Sequence, residues 1–401
     1  MDLAETIYTL QPGRTLAISI LVLFLGLYLN QKIKILGNSF IPPSVTGGII
    51  CSVLIAIIYT TTDVEISFDM QIRDVLLLVF FSTIGLNANF KVLATGGKAL
   101  LVLCVIAFVF LIVQDLTGVG LAKLIGVHPG YGLMAGSVSL AGGHGTAIAW
   151  GIEAKKAGLE NAQDIGLIFA TFGLIAGGLL GGPIAKLLIL RNSLAPSETN
   201  QHQVSIKPTQ ITKPETLVDT LGSLLALTVC VVAGQLINEF ITTKGMVLPG
   251  FLTSMFVGIA IANGMESLKF KLHSPSIDRF SEISLNIFLT MSLMSMHLWV
   301  LADAAAPIII ALLIQMLVMT LFAVMIVFRF MGKDYDAAVI TSGFVGLGLG
   351  ATPVAIANIT EVTRRFGPSM KAFLIIPLVG AFFIDIFNAV VIKAFLSFFS
   401  P

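Results

Sequence analysis

Apolar residues gather into long uncharged runs at 15–30, 44–60, 99–113, 165–185, 220–238, 247–265, 283–296, 304–328 and 372–384. Several reach the roughly 20 residues that a helix needs to cross about 30 Å of hydrocarbon, and the shorter ones extend into amphipathic flanks. Nothing alternates over the roughly 10 residues of a barrel strand. The pattern predicts an all-α polytopic membrane protein. Two segments interrupt it. In SVSLAGGHGTAIAWG (137–151), GGHG (142–145) sets three glycines and an imidazole into an apolar context, and GLGLGATP (346–353) is broken in a similar way.

The interruptions belong to an internal repeat. YGLMAGSVSLAGGHGTA (131–147) aligns with YDAAVITSGFVGLGLGA (335–351), pairing Tyr131 with Tyr335, Ser137 with Thr341 and Gly142 with Gly346. Upstream, LVFFSTIGLNANFKVL (78–93) resembles NIFLTMSLMSMHLWVL (286–301), and Pro43 has a partner in Pro249. Downstream, the glycine-rich run 165–185 corresponds to 372–392. The chain therefore reads as a first repeat, 1–190, a second repeat, 216–401, and a linker, 191–215, that is polar, rich in proline and without apolar period.

Each repeat holds five apolar runs, with 78–93 counted in the first, and one broken segment, about 131–157 and 335–365. If the broken segment enters and returns on one side, each repeat crosses five times and the second is inverted relative to the first. That arrangement puts 16 of the 23 basic residues on one side, whereas six crossings per repeat would divide them 13 to 10. Positive charge concentrates on the cytoplasmic side. The expectation is two inverted-topology repeats of five transmembrane helices, each with a glycine-rich re-entrant segment, both termini periplasmic and the linker cytoplasmic. Asp2 and Glu5 stand before the first run, where a cleaved secretory signal would be basic, so the first helix reads as retained.

Composition narrows the class further. Charged residues make up 11% of the chain, about half the share in soluble proteins. A net charge of +1 without a basic cluster argues against nucleic-acid binding. Cys51, Cys104 and Cys230 all lie in apolar runs without metal-site spacing, as small buried hydrophobes would. No phosphate-binding GxxxxGK[ST] loop is present, so ATP is not the energy source. No oriented Ser–His or two-Asp arrangement suggests an enzyme.

Irregular backbone survives at membrane depth only when it is buried in protein or lines a cavity. Matched breaks in inverted repeats point to a binding site near the midplane. A half-helix starting near Thr146, and another near Thr352, would aim their positive ends at the breaks and suit carboxylates. Glycine-rich helices also pack closely without any ligand, and the glycines of GLIAGGLLGGP (173–183) fit that role.

GGHGT, FFSTIGLNAN, GLGLGATPVAIAN, RRFGPS and VGAFFIDIFNAVVIK resemble the bacterial glutamate:sodium symporters, and the resemblance covers essentially the whole chain. It implies sodium-driven uptake of L-glutamate across the inner membrane, with Na+ as the coupling ion, the lipid bilayer as surroundings and no enzymatic activity. It also implies two inverted five-helix domains with re-entrant loops. A cation/proton antiporter, or a sodium-coupled carrier for another di- or tricarboxylate, is the alternative. The oligomer is left open, and a homodimer is compatible with the sequence.

Substrate candidates are Gly142, Gly143, His144, Gly145 and Thr146 in the first break, and Gly348, Gly350, Thr352 and Asn358 in the second. His144 could donate to a carboxylate or be satisfied by backbone. Thr146 and Thr352 could cap helices, contact ligand, or both. Asn358 could face the site or a helix partner. Sodium candidates are Asp385, a carboxylate inside an apolar run, with Asn388 three residues on, and Asn87 and Ser82 near the end of the third helix. Asn87 could instead cap that helix. Asp115 reads as interfacial, and Arg364 and Arg365 as cytoplasmic anchors or as an attraction for an anionic substrate.

The charge bias generates a topology test. A cysteine in 191–215 should resist impermeant thiol reagents in intact cells, and one at either terminus should react. Labelling of the linker from outside would refute the inverted arrangement.

Overall fold

A computed structural model describes residues 6–33, 42–62, 64–88, 97–196, 216–243, 248–267, 274–296 and 305–399. Most of the expected linker, 197–215, lies outside the described residues. The helices are α1 (Pro12–Lys32), α2 (Pro43–Thr62), α3 (Gln71–Asn87), α4 (Gly97–Leu124), α5 (Pro129–Met134), α6 (Gly143–Lys156), α7 (Ala162–Arg191), α8 (Leu217–Thr243), α9 (Gly250–Ser267) and α10 (Ser274–Met294). They continue with α11 (Ala305–Phe330), α12 (Tyr335–Leu349), α13 (Thr352–Phe366), α14 (Met370–Leu378) and α15 (Ile384–Phe399).

Among the described residues, α1, α2, α4, α7, α8 and α11 are long and apolar enough to cross a membrane. They carry large apolar side chains outward, such as Phe24, Leu101, Leu225 and Leu313. Apolar faces of this extent belong against hydrocarbon. The protein is a multi-pass helical membrane protein. Proline starts α1, α2 and α5, where its missing N–H costs nothing and its fixed φ suits the first turn.

Two departures from regular helix matter. First, Thr6–Leu10 pairs in parallel with Val64–Phe68, a small sheet that the all-α expectation did not contain. Parallel strands need a crossover connection, and the α1–α2 hairpin supplies it. Second, π turns interrupt two helices. One lies at Ala323–Val327 inside α11, and the other at Val379–Phe383 joins α14 to α15, where the Ile384 N–H bonds the Val379 carbonyl five residues back.

The chain forms two compact units, 1–90 with 212–303 and 91–211 with 304–401. The units do not follow the sequence halves: each takes helices from both.

In the first unit α3 packs on α9 and α10. Backbones come close at the α3–α9 crossing, where a Cβ on Gly85 would stand 2.2 Å from the Met255 carbonyl oxygen. Small residues allow such approach, and it replaces the hydrophobic drive that helices lack in lipid. Rings of Phe80, Phe81, Phe251 and Phe288 pack beside this crossing.

In the second unit α7 packs against α6, α12 and α13. Phe110, Phe169, Phe344 and Leu140 are fully buried in its core. Its interior also holds polar side chains, which fix the site described next.

Overpacking typically costs about 1–3 kcal/mol. Gly85→Leu should therefore lower the thermal midpoint of the purified protein or abolish its monodisperse peak. Gly264→Ala, whose Cβ would meet open space, should leave both unchanged.

Candidate functional site

In each broken segment a tyrosine at the start hydrogen-bonds a carbonyl beyond the end. The first is α5, a run of turns over 135–142, and α6. The Tyr131 hydroxyl, at its start, donates to the Glu160 carbonyl beyond its end at 2.8 Å. The second is α12, a break at Gly350 and Ala351, and α13. Tyr335 donates in the same way to the Gly367 carbonyl.

The turns of the first break satisfy their own backbone. Gly142 N–H bonds the Ser137 carbonyl and Gly143 N–H the Ser139 carbonyl, each at 2.9 Å. Gly143 opens α6 at φ +70°, a conformation that disfavours side chains. In the second break Ala351 N–H returns to the Gly346 carbonyl at 3.0 Å, and Pro353 sits in the first turn of α13. The two breaks meet: a Cβ on Gly143 would lie 3.4 Å from the Gly350 carbonyl oxygen.

Helix α15 runs past the first break and holds both of its arms. Asn388 Nδ2 donates to the Ser137 carbonyl at 2.9 Å. One turn earlier, half-buried Asp385 accepts a hydrogen bond from the Thr146 hydroxyl. Gly142 lies between them, so close that a Cβ there would fall 2.7 Å from both Asn388 Nδ2 and Thr146.

The structure therefore brings Gly142, Gly143, Thr146, Gly350, Asp385 and Asn388 together. The first four N–H groups of a helix have no intrahelical acceptor, and α6 begins at this cluster. Gly143, His144 and Gly145 form its first turn, so the helix starts three residues earlier than Thr146, where the sequence reading began it. Its N-terminal end and the Thr146 hydroxyl are donors. Asp385 and the amide oxygen of Asn388 are hard acceptors. Such an arrangement can receive an anion at the helix end and a cation at the carboxylate.

Other candidates are placed elsewhere. His144 is turned away: its Nε2 lies 3.0 Å from Thr171 Oγ1 on α7. The Thr171 proton goes to the Leu167 carbonyl, so the imidazole is the donor. Asn358 Nδ2 donates to the Gly177 and Ser342 carbonyls, a packing contact between helices. Gly348 lies inside α12, not in the break, and a Cβ there would meet Phe110 and Met319 at 2.7 and 2.8 Å. Thr352 opens α13, and a Cβ on Gly380 would come 2.4 Å from its hydroxyl. Ser82 and Asn87 belong to the other compact unit. There Ser82 bonds the Leu78 carbonyl, and Asn87 donates to Asp278 at 2.9 Å.

Residues that sequence reasoning passed over occupy the centre. Gln114 donates to the Gly348 carbonyl at 2.8 Å, and Gln315 to the Gln114 and Ala135 carbonyls at 3.0 and 3.1 Å. A glutamine from each sequence half thus braces the broken segment of the other half. Asp115 is wholly buried and bonds Ser137, so it is not interfacial. The signal lay in QDLTGVGLAKL (114–124), which carries the helix a further turn and more beyond Asp115.

The model of the sodium/glutamate symporter family matches residues 8–368. The chain belongs to that family. It is 39% identical over 389 residues to the sodium/glutamate symporter of Escherichia coli (strain K12), covering 95% of this chain and 96% of that one. To the sodium/glutamate symporter of Haemophilus influenzae it is 41% identical over 397 residues, covering 96% and 97%. In this family member the meeting breaks and the α15 carboxylate are the features that chemistry can use.

Asn358 separates packing from binding. Losing its two bonds leaves buried carbonyls unpaired, at about 1–3 kcal/mol. Asn358→Leu should lower thermal stability while substrate affinity stays near the parent's. A large affinity loss in a stable variant would return Asn358 to the site.

Proposed function

We propose that the protein is a secondary transporter that couples sodium entry to import of L-glutamate across the inner membrane by alternating access. Family membership and the names of its relatives, sodium/glutamate symporters, support the substrate and the ion. The observation that carries the mechanism is the contact between two broken helices at Gly143 and Gly350.

The broken segments are re-entrant in this reading. A fully crossing stretch of 30 residues would hold its ends about 45 Å apart. Here a single tyrosine hydrogen bond joins the ends of each segment, in both halves. Five crossings per repeat and inversion follow, in line with the charge bias of the loops. The first repeat is 1–190, the second 216–401, and the linker is cytoplasmic with both termini periplasmic.

One carboxylate of glutamate binds the start of α6, at the N–H groups of His144 and Gly145 and the Thr146 hydroxyl. The second binds the start of α13, which follows the Gly350 break that meets Gly143. Asp385 accepts a hydrogen bond from Thr146 in this structure; when it takes a sodium ion instead, the hydroxyl turns its single proton to the substrate, whose charge the ion offsets. Thr146 touches both, so each ligand raises the other's affinity by the same factor.

Uptake of radiolabelled glutamate into proteoliposomes tests the reading. It should require an inward sodium gradient, and a proton gradient alone should not replace it. Thr146→Val should weaken glutamate binding about 10- to 150-fold, the worth of one hydrogen bond to a charged group. Asp385→Asn should raise the sodium concentration for half-maximal uptake. Uptake indifferent to sodium, or selective for another dicarboxylate, would overturn it.

A further inference from the structure

Asp115, Ser137 and Asn388 are each fully buried and come from α4, the first break and α15. Asp115 Oδ1 accepts the Ser137 N–H at 2.7 Å. Ser137 Oγ lies 2.9 Å from Asp115 Oδ2 and 2.5 Å from Asn388 Oδ1. The Asn388 amide cannot be turned over, because its Nδ2 donates to the Ser137 carbonyl. A hydroxyl carries one proton. Ser137 can therefore satisfy one of those two oxygens, and the other faces it lone pair to lone pair. No lysine, arginine or histidine pairs with Asp115 among the described residues. The cluster is one positive charge short, in a setting where an uncompensated carboxylate is costly.

We propose that Asp115 Oδ2, Ser137 Oγ and Asn388 Oδ1 are ligands of a transported sodium ion, distinct from the ion at Asp385. All three are hard oxygen donors, the kind that suit such a cation. With the ion bound, Ser137 donates its proton to Asp115 and offers its lone pairs to the metal. The ion then ties the entry arm of the first break to α4 and α15. The exit arm is tied to the same α15 through Thr146 and Asp385. Filling the Asp115 site fixes the geometry of the break, so substrate affinity rises without contact between this ion and the substrate.

The inference rests on sodium coupling as proposed above, and glutamate binding to purified full-length protein at varied sodium separates the two. Parent binding that ignores sodium would sink the coupling itself. Given a sodium-dependent parent, Asp115→Asn and Ser137→Ala should each raise half-saturating sodium at least about tenfold, the loss of one contact to a charged group. At saturating sodium their glutamate affinity should return to within about threefold of the parent's, whereas Thr146→Val should stay weak. If Asp115→Asn does not fold, Ser137→Ala decides. Half-saturating sodium unchanged in folded Ser137→Ala overturns the assignment. So does a shift seen only in the pH dependence at fixed sodium, which would make the missing charge a proton.

Discussion

Everything in the second unit answers to one constraint: a peptide group inside hydrocarbon must find a partner within the protein. Breaking a helix there frees carbonyls and N–H groups by the handful. The chain meets the demand with buried side-chain amides. Gln114, Gln315, Asn358 and Asn388 each place an amide N–H on a carbonyl of another segment. These amides do what water would do at a surface, and they do it in fixed directions. The breaks can therefore be both irregular and well defined, which a binding site requires.

The bracing also crosses between the sequence halves. Gln114 of the first half holds the second break, Gln315 of the second half holds the first, and Asn388 reaches Ser137. Neither broken segment is braced by its own sequence half alone. The second compact unit accordingly draws residues from both halves.

Much of this was legible in the sequence, for stated physical reasons. Apolar runs of membrane length mark helices, and the paired interruptions mark both breaks. Asp385 stood out because a carboxylate in an apolar run is expensive. The tyrosines that close each broken segment were visible as a matched pair. What could not be read was side-chain direction. Asn358 and Asp385 look equally functional in one dimension, yet one serves backbone carbonyls and the other meets Thr146. Asp115 was read as interfacial because the apolar run before it ends at 113, while the helix continues to Leu124. The strand at Thr6–Leu10 was missed because its partner lies more than fifty residues away, beyond any local periodicity.

The π turn at Val379–Phe383 has a bearing on how tightly this chain is written. A π turn accommodates one residue more than an α turn would, and so rotates all that follows by about 100° around the helix axis. Asp385 and Asn388 come directly after it, and both point at the first break. Their aim is thus set by residue count as much as by residue type. Substitutions along Val379–Phe383 leave that count intact, whereas loss of a single residue would swing the carboxylate and the amide together onto another face. The stretch is strict in length, and strict in composition at Gly380, where a Cβ would meet Thr352 and Leu347.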